Sequence, residues 1–170
     1  ADTEARIIGT SLVEGSPLVT IDGESDVAIS HAYLARSSGA EPLVRMTNAA
    51  SGIMQLVSTT LIDSSSHCIE AQGSAQLILN QVLLQSCAYN SLWARGLTLS
   101  VNDLDVSQKI ELEGVSGEIS DLTGHQLHFN NLDGFTMDDI SLTFLYGYDN
   151  RDITIDGATI VTNTLDDVMG

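Results

Sequence analysis

A chain of 170 residues with 43% hydrophobic residues and a net charge of −17 can form one domain with a continuous core. Such an acidic surface repels phosphate backbones, so we expect no nucleic-acid partner. No stretch approaches the roughly 18 apolar residues that a membrane span needs, so we expect no membrane insertion.

The chain divides into an irregular beginning, a regular middle and a short end. Residues 1–26 carry two strand-like runs and are expected to form a first coil or a cap. Residues 27–162 are expected to form regular coils of a single domain that spans 1–170. Because terminal repeats need a polar cover and 163–170 lack one, we expect this end to be that of a fragment or to continue into a longer parent chain, with capping by a partner chain as the alternative.

An apolar residue followed by a small polar residue recurs along the middle of the chain. The repeats are Ile29-Ser30, Leu79-Asn80, Leu99-Ser100, Ile119-Ser120, Met137-Asp138 and Ile155-Asp156, and Leu56-Val57 fits with an apolar second residue. From Leu56 to Ile155 the steps are 23, 20, 20, 18 and 18 residues. This period is typical of a solenoid, in which each coil covers the apolar face of the preceding one.

A second motif, in which two apolar residues flank one other residue, recurs at a similar interval. Its members are Val44-Arg45-Met46, Ile69-Glu70-Ala71, Leu92-Trp93-Ala94, Ile110-Glu111-Leu112 and Leu127-His128-Phe129. Neither motif has the spacing of an amphipathic helix. Together they predict an all-β parallel β-solenoid of about six or seven coils with irregular N-terminal coils. A β-sandwich with regularly spaced strands is the alternative.

The segment from Asn150 to Ile160, NRDITIDGATI, combines a polar turn, a short strand, an Asp-Gly pair and a second strand. It resembles the coil pattern of the right-handed parallel β-helix proteins of the pectate-lyase-like class. The resemblance covers about residues 27–162. The resemblance implies a right-handed β-helix from a group that includes polysaccharide lyases, polygalacturonase-like hydrolases, phage tailspikes and adhesins. Asp138-Asp139 resembles the paired aspartates of the polygalacturonase-like group, but its Gly-His-Gly and Arg-Ile-Lys motifs are missing.

The two cysteines, Cys68 and Cys87, lie one coil apart in the sequence. When the coils are aligned by their apolar positions, Cys68 falls opposite Ser91, and Cys87 lies beyond the end of the preceding strand. We therefore expect two buried free thiols, with a disulfide as the alternative.

The second motif also predicts which side chains point outward. Neighbours in a strand alternate between faces, so a residue flanked by two apolar residues faces solvent. This rule predicts an outer ladder of Arg45, Glu70, Trp93, Glu111 and His128, continued by Tyr146. A parallel ladder two residues further along comprises Thr47, Gln72, Arg95, Glu113, Asn130 and Tyr148.

Side chains of these two ladders suit the recognition of a sugar chain. Trp93, the only tryptophan, offers a flat apolar face to a sugar ring, while polar neighbours can bond its hydroxyls. Packing of Trp93 against a loop or another chain is the alternative. We predict a carbohydrate-binding surface formed by Arg45, Glu70, Trp93, Arg95, Asn130, Tyr146 and Tyr148.

Three residues on this surface are candidates for catalysis. Glycoside cleavage needs two carboxyl groups about 5 to 10 Å apart, a distance that residues i and i+2 of a strand can span. Glu111 and Glu113 have this spacing, and His128 in the next coil is a candidate acid or base. These residues make a hydrolase or a lyase a hypothesis, and solvated surface residues are the alternative.

Aspartates near the last predicted coil raise the question of a metal. Asp149, Asp152 and Asp156 lie close together in the sequence, which has no EF-hand loop and no nonapeptide calcium repeat. We expect no metal site and no cofactor, with Ca²⁺ as the alternative.

The functional expectation is a β-helix domain that recognises, and in one version processes, an extracellular or bacterial-surface polysaccharide. Its expected location is outside the cell or on a virion surface. The expected partner is a polysaccharide. The chain is expected to assemble as a homotrimer or to belong to a larger parent chain. The alternative is a structural or adhesive β-solenoid spacer without catalysis, with an oligomerisation surface.

Overall fold

A computed structural model describes residues 3–169 of the chain, with side chains described from 4 to 165. Over that range the chain forms strands and no helix. The strands are β1 Thr3–Ile8, β2 Ser11–Gly15, β3 Val19–Ile21, β4 Ser25–Ser30, β5 Tyr33–Ser37, β6 Val44–Met46, β7 Ile53–Ile62, β8 Ile69–Gln72, β9 Gln76–Gln85, β10 Asn90–Arg95, β11 Thr98–Glu113, β12 Ser116–Asn130, β13 Thr136–Arg151, β14 Thr154–Asp156 and β15 Thr159–Met169. No helix that could span a membrane occurs in this part of the chain.

Strand pairing is parallel throughout, and each coil pairs with the coil before and after it in the chain. The pairs build three stacks, which we call faces A, B and C in the order in which each coil visits them. Face A contains β1 and β4, the first parts of β7, β9, β11, β12 and β13, and β14. Face B contains β2 and β5, the later parts of β7 and β9, the middle parts of β11 to β13 and the start of β15. Face C contains β3, β6, β8, β10, the last parts of β11 to β13 and the rest of β15.

This arrangement confirms the predicted all-β, parallel β-solenoid, with about seven turns. Parallel pairing between successive coils excludes the antiparallel sandwich. The core is a continuous column of inward side chains. On face C, for example, the column consists of Val44, Ile69, Leu92, Ile110, Leu127 and Leu145, each 0 or 1% exposed.

The register corrects the first sequence motif at one position. Leu79 pairs with Val101, and not with the predicted Leu99, which pairs instead with Leu77. The two predicted steps that involve Leu99 are therefore wrong, while the other steps of that motif are confirmed. A shift of two residues keeps inward side chains inward, so the apolar alternation alone does not distinguish the two registers.

The corrected register produces a short ladder of polar side chains on face A. The Asn102 Nδ2 donates to Asn80 Oδ1 at 3.2 Å, and Ser120 Oγ donates to Asn102 Oδ1 at 3.3 Å. The predicted member Ser100 lies outside this ladder and pairs with Glu118.

Corner geometry explains why polar residues occur at fixed places in each coil. Every coil turns from face A to face B through one left-handed residue, with φ between 48° and 61°: Gly9, His31, Ser58, Gln81, Asp103, Asp121, Asp139 and Gly157. The turn from face C to face A uses Gly73, Gly96, Gly114, Asn131 and Asp149 in the same way. Gly, Asn and Asp adopt this conformation at lower cost than other residues. Several aspartates of the C-terminal half therefore lie at corners, where their residue type tolerates the left-handed conformation.

Cys68 and Cys87 form a disulfide, which corrects the expectation of two free thiols. The segments 63–67 and 86–89 both bulge at the corner between faces B and C, and they stack through bonds from Ala88 N to Ser64 O and from Tyr89 N to Ser66 O. This stacking brings Cys87 back over the solenoid interior, next to Cys68. Strand alignment could not show it, because both cysteines lie outside the regular strands at this corner.

Candidate functional site

Face C carries both predicted outer ladders in the predicted order. Arg45, Glu70, Trp93, Glu111, His128 and Tyr146 are successive register partners, and we call them the first outer ladder. Gln72, Arg95, Glu113, Asn130 and Tyr148 are likewise successive partners and form the second outer ladder. The predicted binding residues and the three candidate catalytic residues therefore lie on one face. Thr47 follows the end of β6 and bonds to Asp22.

Ion pairs fix the N-terminal end of the first ladder. Arg45 contacts the Glu41 carboxylate and lies 3.3 Å from Glu70 Oε2, and its side chain is 28% exposed. Gln72 Nε2 donates to the other Glu70 oxygen at 3.2 Å. The charged groups in this part of the face are thus paired with one another, and Arg45 Nε is buried without a hydrogen-bond partner among the described residues.

Trp93 packs against the corner insertion as well as facing outward. Its ring stacks on His67, with centroids 6.0 Å apart and an interplanar angle of 19°. Tyr89, which is 63% exposed, also lies near His67, with the two ring centroids 5.8 Å apart. Burial lowers the pKa of His67, although Glu70 and Glu111 oppose that effect, so the imidazole in this aromatic cluster is neutral at pH 7.

The sequence analysis did not assign His67 or Tyr89 to the site. Periodicity could not assign them, because both residues lie outside the repeats. The proximity of each residue to a cysteine was the available signal, since a disulfide between the insertions brings Tyr89 near His67, which stacks on Trp93.

Glu111 is held as a carboxylate by its neighbours. Lys109 Nζ lies 2.7 Å from Glu111 Oε2, and Asn90 Nδ2 donates to the same oxygen at 3.1 Å. Partial burial favours the neutral acid, but the bond to Lys109 and its charge, together with Asn90 and His128, lower the pKa of Glu111 overall. A general acid in glycoside cleavage needs a raised pKa. Glu111 is therefore better suited to act as a base or as an acceptor for a sugar hydroxyl.

The three candidate catalytic residues line one shallow depression. Glu111, Glu113 and His128 share it with Asn130 and Tyr148. Glu113 is paired with Arg95, whose guanidinium lies 3.1 Å from a Glu113 carboxylate oxygen. The solenoid register thus brings together residues that are up to 37 positions apart in the chain.

His128, which lines this depression, has a buried polar atom without a partner in the described part of the chain. Its ring lies against Tyr146, with centroids 4.6 Å apart. Its Nε2 is buried and has no hydrogen-bond partner among the described residues. Burial and the nearby Lys109 lower the pKa of His128, and Glu111 opposes them, so the ring is neutral at pH 7.

Asn130 supplies a second unpaired atom two residues along the same strand. Its Nδ2 donates to the Tyr148 hydroxyl at 2.6 Å, whereas its Oδ1 is buried without a partner among the described residues. Buried polar atoms are almost always paired, with protein, water or ligand. These two atoms, on alternate residues of one strand and beside Tyr146 and Tyr148, are candidates for contact with a hydroxyl-bearing ligand.

Phe144 extends the aromatic surface of β13 and was not assigned to the site from the sequence. Phe144, Tyr146 and Tyr148 alternate on the outer side of face C, and the rings of Phe144 and Tyr146 lie 6.2 Å apart and nearly parallel. The His125 ring lies edge-on to the Phe144 ring, with the ring centroids 5.4 Å apart. The spacing of three aromatic residues at i, i+2 and i+4 was the available signal.

Within the described part of the chain, no three His, Cys, Asp or Glu residues are grouped so that they could hold a metal ion. Asp149 and Asp152 occupy left-handed turns, and Asp156 Oδ1 accepts a bond from Gly157 N. These three aspartates therefore serve the turns of the last coils.

No protein-family model, curated protein or solved structure matches this chain. The fold is established as a parallel β-solenoid by its strand pairing.

Proposed function

We propose that face C binds an extracellular or bacterial-surface polysaccharide. The single observation that carries this proposal is the pair of unpaired buried atoms, His128 Nε2 and Asn130 Oδ1, beside the rings of Tyr146 and Tyr148. Sugar rings stack on aromatic faces while their hydroxyls donate and accept hydrogen bonds.

The dimensions of the first outer ladder suit a chain of several sugars. Trp93 and Tyr146 belong to the same ladder three coils apart, which is about 14 Å at the usual strand spacing. Between them lie Glu111 and His128. An oligosaccharide that follows the solenoid axis therefore meets an aromatic ring at each end and polar side chains in the middle.

Two further features support a location outside the cell or on a virion. Disulfides persist in oxidising compartments, and Cys68–Cys87 is one. The net charge of −17 favours solvation in extracellular fluids. A homotrimer or a larger parent chain, as in tailspike-like proteins, remains our proposal for the assembly.

Titration of bacterial-surface glycans, followed by Trp93 fluorescence, tests the proposal directly because Trp93 is the only tryptophan. We expect saturable binding of at least one glycan. By calorimetry, Trp93→Ala should weaken binding about tenfold or more, which corresponds to about 1.4 kcal/mol. Tyr33→Ala is the matched control, because Tyr33 is an exposed aromatic residue on face B. No response across a broad panel would favour the non-catalytic spacer instead.

A second candidate function, cleavage of the bound glycan, is favoured by the depression that Glu111, Glu113 and His128 share. Glu111→Gln and Glu113→Gln should abolish cleavage while binding is retained, as measured by product analysis beside calorimetry. Wild-type protein that binds a glycan and releases no product over long incubation would identify a pure binding protein.

A further inference from the structure

The charges on face C indicate which class of glycan it binds. This inference depends on the proposed function. Three of the six basic residues of the chain, Arg45, Arg95 and Lys109, lie on this face. Each is already paired with a carboxylate of the protein: Arg45 with Glu41 and Glu70, Arg95 with Glu113, and Lys109 with Glu111. The cations of the site are therefore neutralised by neighbours on the same face.

Recognition of an anionic sugar needs a cation that can bond the incoming carboxylate or sulfate. At this site an anion would have to displace Glu111 or Glu113 from its partner, and the displaced carboxylate would remain nearby and repel it. The long-range field acts in the same direction, because the whole chain carries −17. The displaced carboxylate and the net negative charge of the chain therefore both disfavour the binding of uronates, sialylated chains and sulfated chains.

The remaining side chains at the depression and in the adjoining hollow, which Tyr146 lines with His128 and Tyr148, are uncharged. Tyr146 and Tyr148 present rings, and Tyr148 is 50% exposed. His128, whose ring is neutral at pH 7, and Asn130 offer the two unpaired atoms. Such a set can bond hydroxyls and amides and cover the apolar faces of sugar rings, and it does not need charge on the ligand.

We propose that face C is specific for an uncharged polysaccharide, with His128, Asn130, Tyr146 and Tyr148 forming the subsite that selects it. The paired carboxylates Glu111 and Glu113 exclude acidic glycans from the same surface.

The test compares uncharged hexose and N-acetylhexosamine oligosaccharides with uronate, sialylated and sulfated oligosaccharides of equal length, by calorimetry on the full chain. We expect binding of at least one uncharged oligosaccharide and none of the anionic ones. The affinity should change by less than about twofold between low and high salt, since screening acts on charge interactions. Binding of anionic oligosaccharides alone would overturn this inference and leave the proposed function standing. Failure of every oligosaccharide to bind would overturn both.

Two sets of variants examine the mechanism of selection. Tyr148→Ala and Asn130→Ala should each weaken the uncharged ligand about tenfold, with Tyr33→Ala as the unaffected control. Glu113→Gln releases Arg95, so it should create measurable affinity for the uronate oligosaccharide. A Glu113→Gln protein that still rejects uronates, with its fold intact by circular dichroism, would overturn the role of the carboxylates in exclusion.

Discussion

Phe129 and Gly147 show how individual residues in successive coils depend on each other. Phe129 is 1% exposed, and its ring occupies the interior below Gly147, its register partner in the next coil. A Cβ atom at position 147 would lie 2.4 Å from two atoms of that ring. Glycine is therefore required at this position by the size of its neighbour.

Substitution of Gly147 by alanine should lower the free energy of unfolding by about 1 to 3 kcal/mol, because the rigid ring must move within a packed core. Urea denaturation measures the change. Ser141→Ala, at an exposed position of the same strand, is the control and should change stability by less than about 0.5 kcal/mol. Phe129→Leu should partly rescue Gly147→Ala, and a lack of any cost in the single variant would contradict the packing described here.

Two histidines make stability depend on pH. Burial lowers the pKa of both His67 and His128, so on acidification the unfolded chain binds protons before the folded chain does. Stability therefore rises with pH in this range and falls as pH decreases from about 7.5 to about 5.5. Thermal unfolding across that range should show the decrease, and the double variant His67→Gln, His128→Gln should flatten it.

Glu111 does not confuse this measurement. The pKa of Glu111 is also lowered. For a carboxyl group, a lowered pKa stabilises the folded protein at pH values above the group's usual pKa, and this stabilisation is lost only at lower pH than the histidine range. A pH dependence that is unchanged in the double histidine variant would show that other groups dominate between pH 7.5 and 5.5.

At the level of elements, the corners determine where one strand ends and the next begins. The turn from face A to face B has a left-handed residue at the equivalent position of every coil, including Asp103, Asp121 and Asp139. The left-handed conformation costs an ordinary L-residue roughly 1 to 2 kcal/mol. The chain meets this cost mainly with residues that tolerate the conformation.

Asp121 offers a direct test, since it is exposed and has a φ of 51°. Asp121→Val should lower the free energy of unfolding by about 1 to 2 kcal/mol, whereas Asp121→Gly and Asp121→Asn should change it by less than about 0.5 kcal/mol. Chemical denaturation in parallel with Thr123→Val, an exposed strand position, separates the backbone effect from the side-chain change. Equal costs for valine and glycine at 121 would contradict the corner model.

For the whole molecule, the disulfide joins two insertions that the repeat pattern does not specify. The insertions stack at one corner and bring His67 against Trp93 and Tyr89 near His67. The candidate site at that end of face C therefore depends on a cross-link in the interior, where Cys68 is 0% and Cys87 is 3% exposed.

Removal of the cross-link by Cys68→Ala and Cys87→Ala together should cost about 2 to 4 kcal/mol of stability, because the denatured chain regains the freedom of the closed loop. It should also shift Trp93 fluorescence, since the His67 stack loosens. Thiol titration of the wild-type protein in denaturant, without reductant, checks the premise. Two reactive thiols there would restore the expectation of free cysteines.

The sequence by itself determined the architecture and the composition of face C. Apolar residues at a period near 20 leave each coil unable to bury its own face, so stacking follows from the pattern alone. Strand alternation then placed Arg45, Glu70, Trp93, Glu111, His128 and Tyr146 on one outer ladder, and the structure has them in that order.

Tertiary structure alone decided the details that alternation cannot encode. The choice of Val101 over Leu99 depends on the left-handed corner at Asp103, which aligns with Gln81 and Asp121, because a two-residue shift leaves the apolar pattern unchanged. The disulfide and the contact between His67 and Trp93 arise from insertions outside the repeats. The unpaired atoms of His128 and Asn130 likewise depend on how neighbouring side chains fill space, and periodicity carries no information about that.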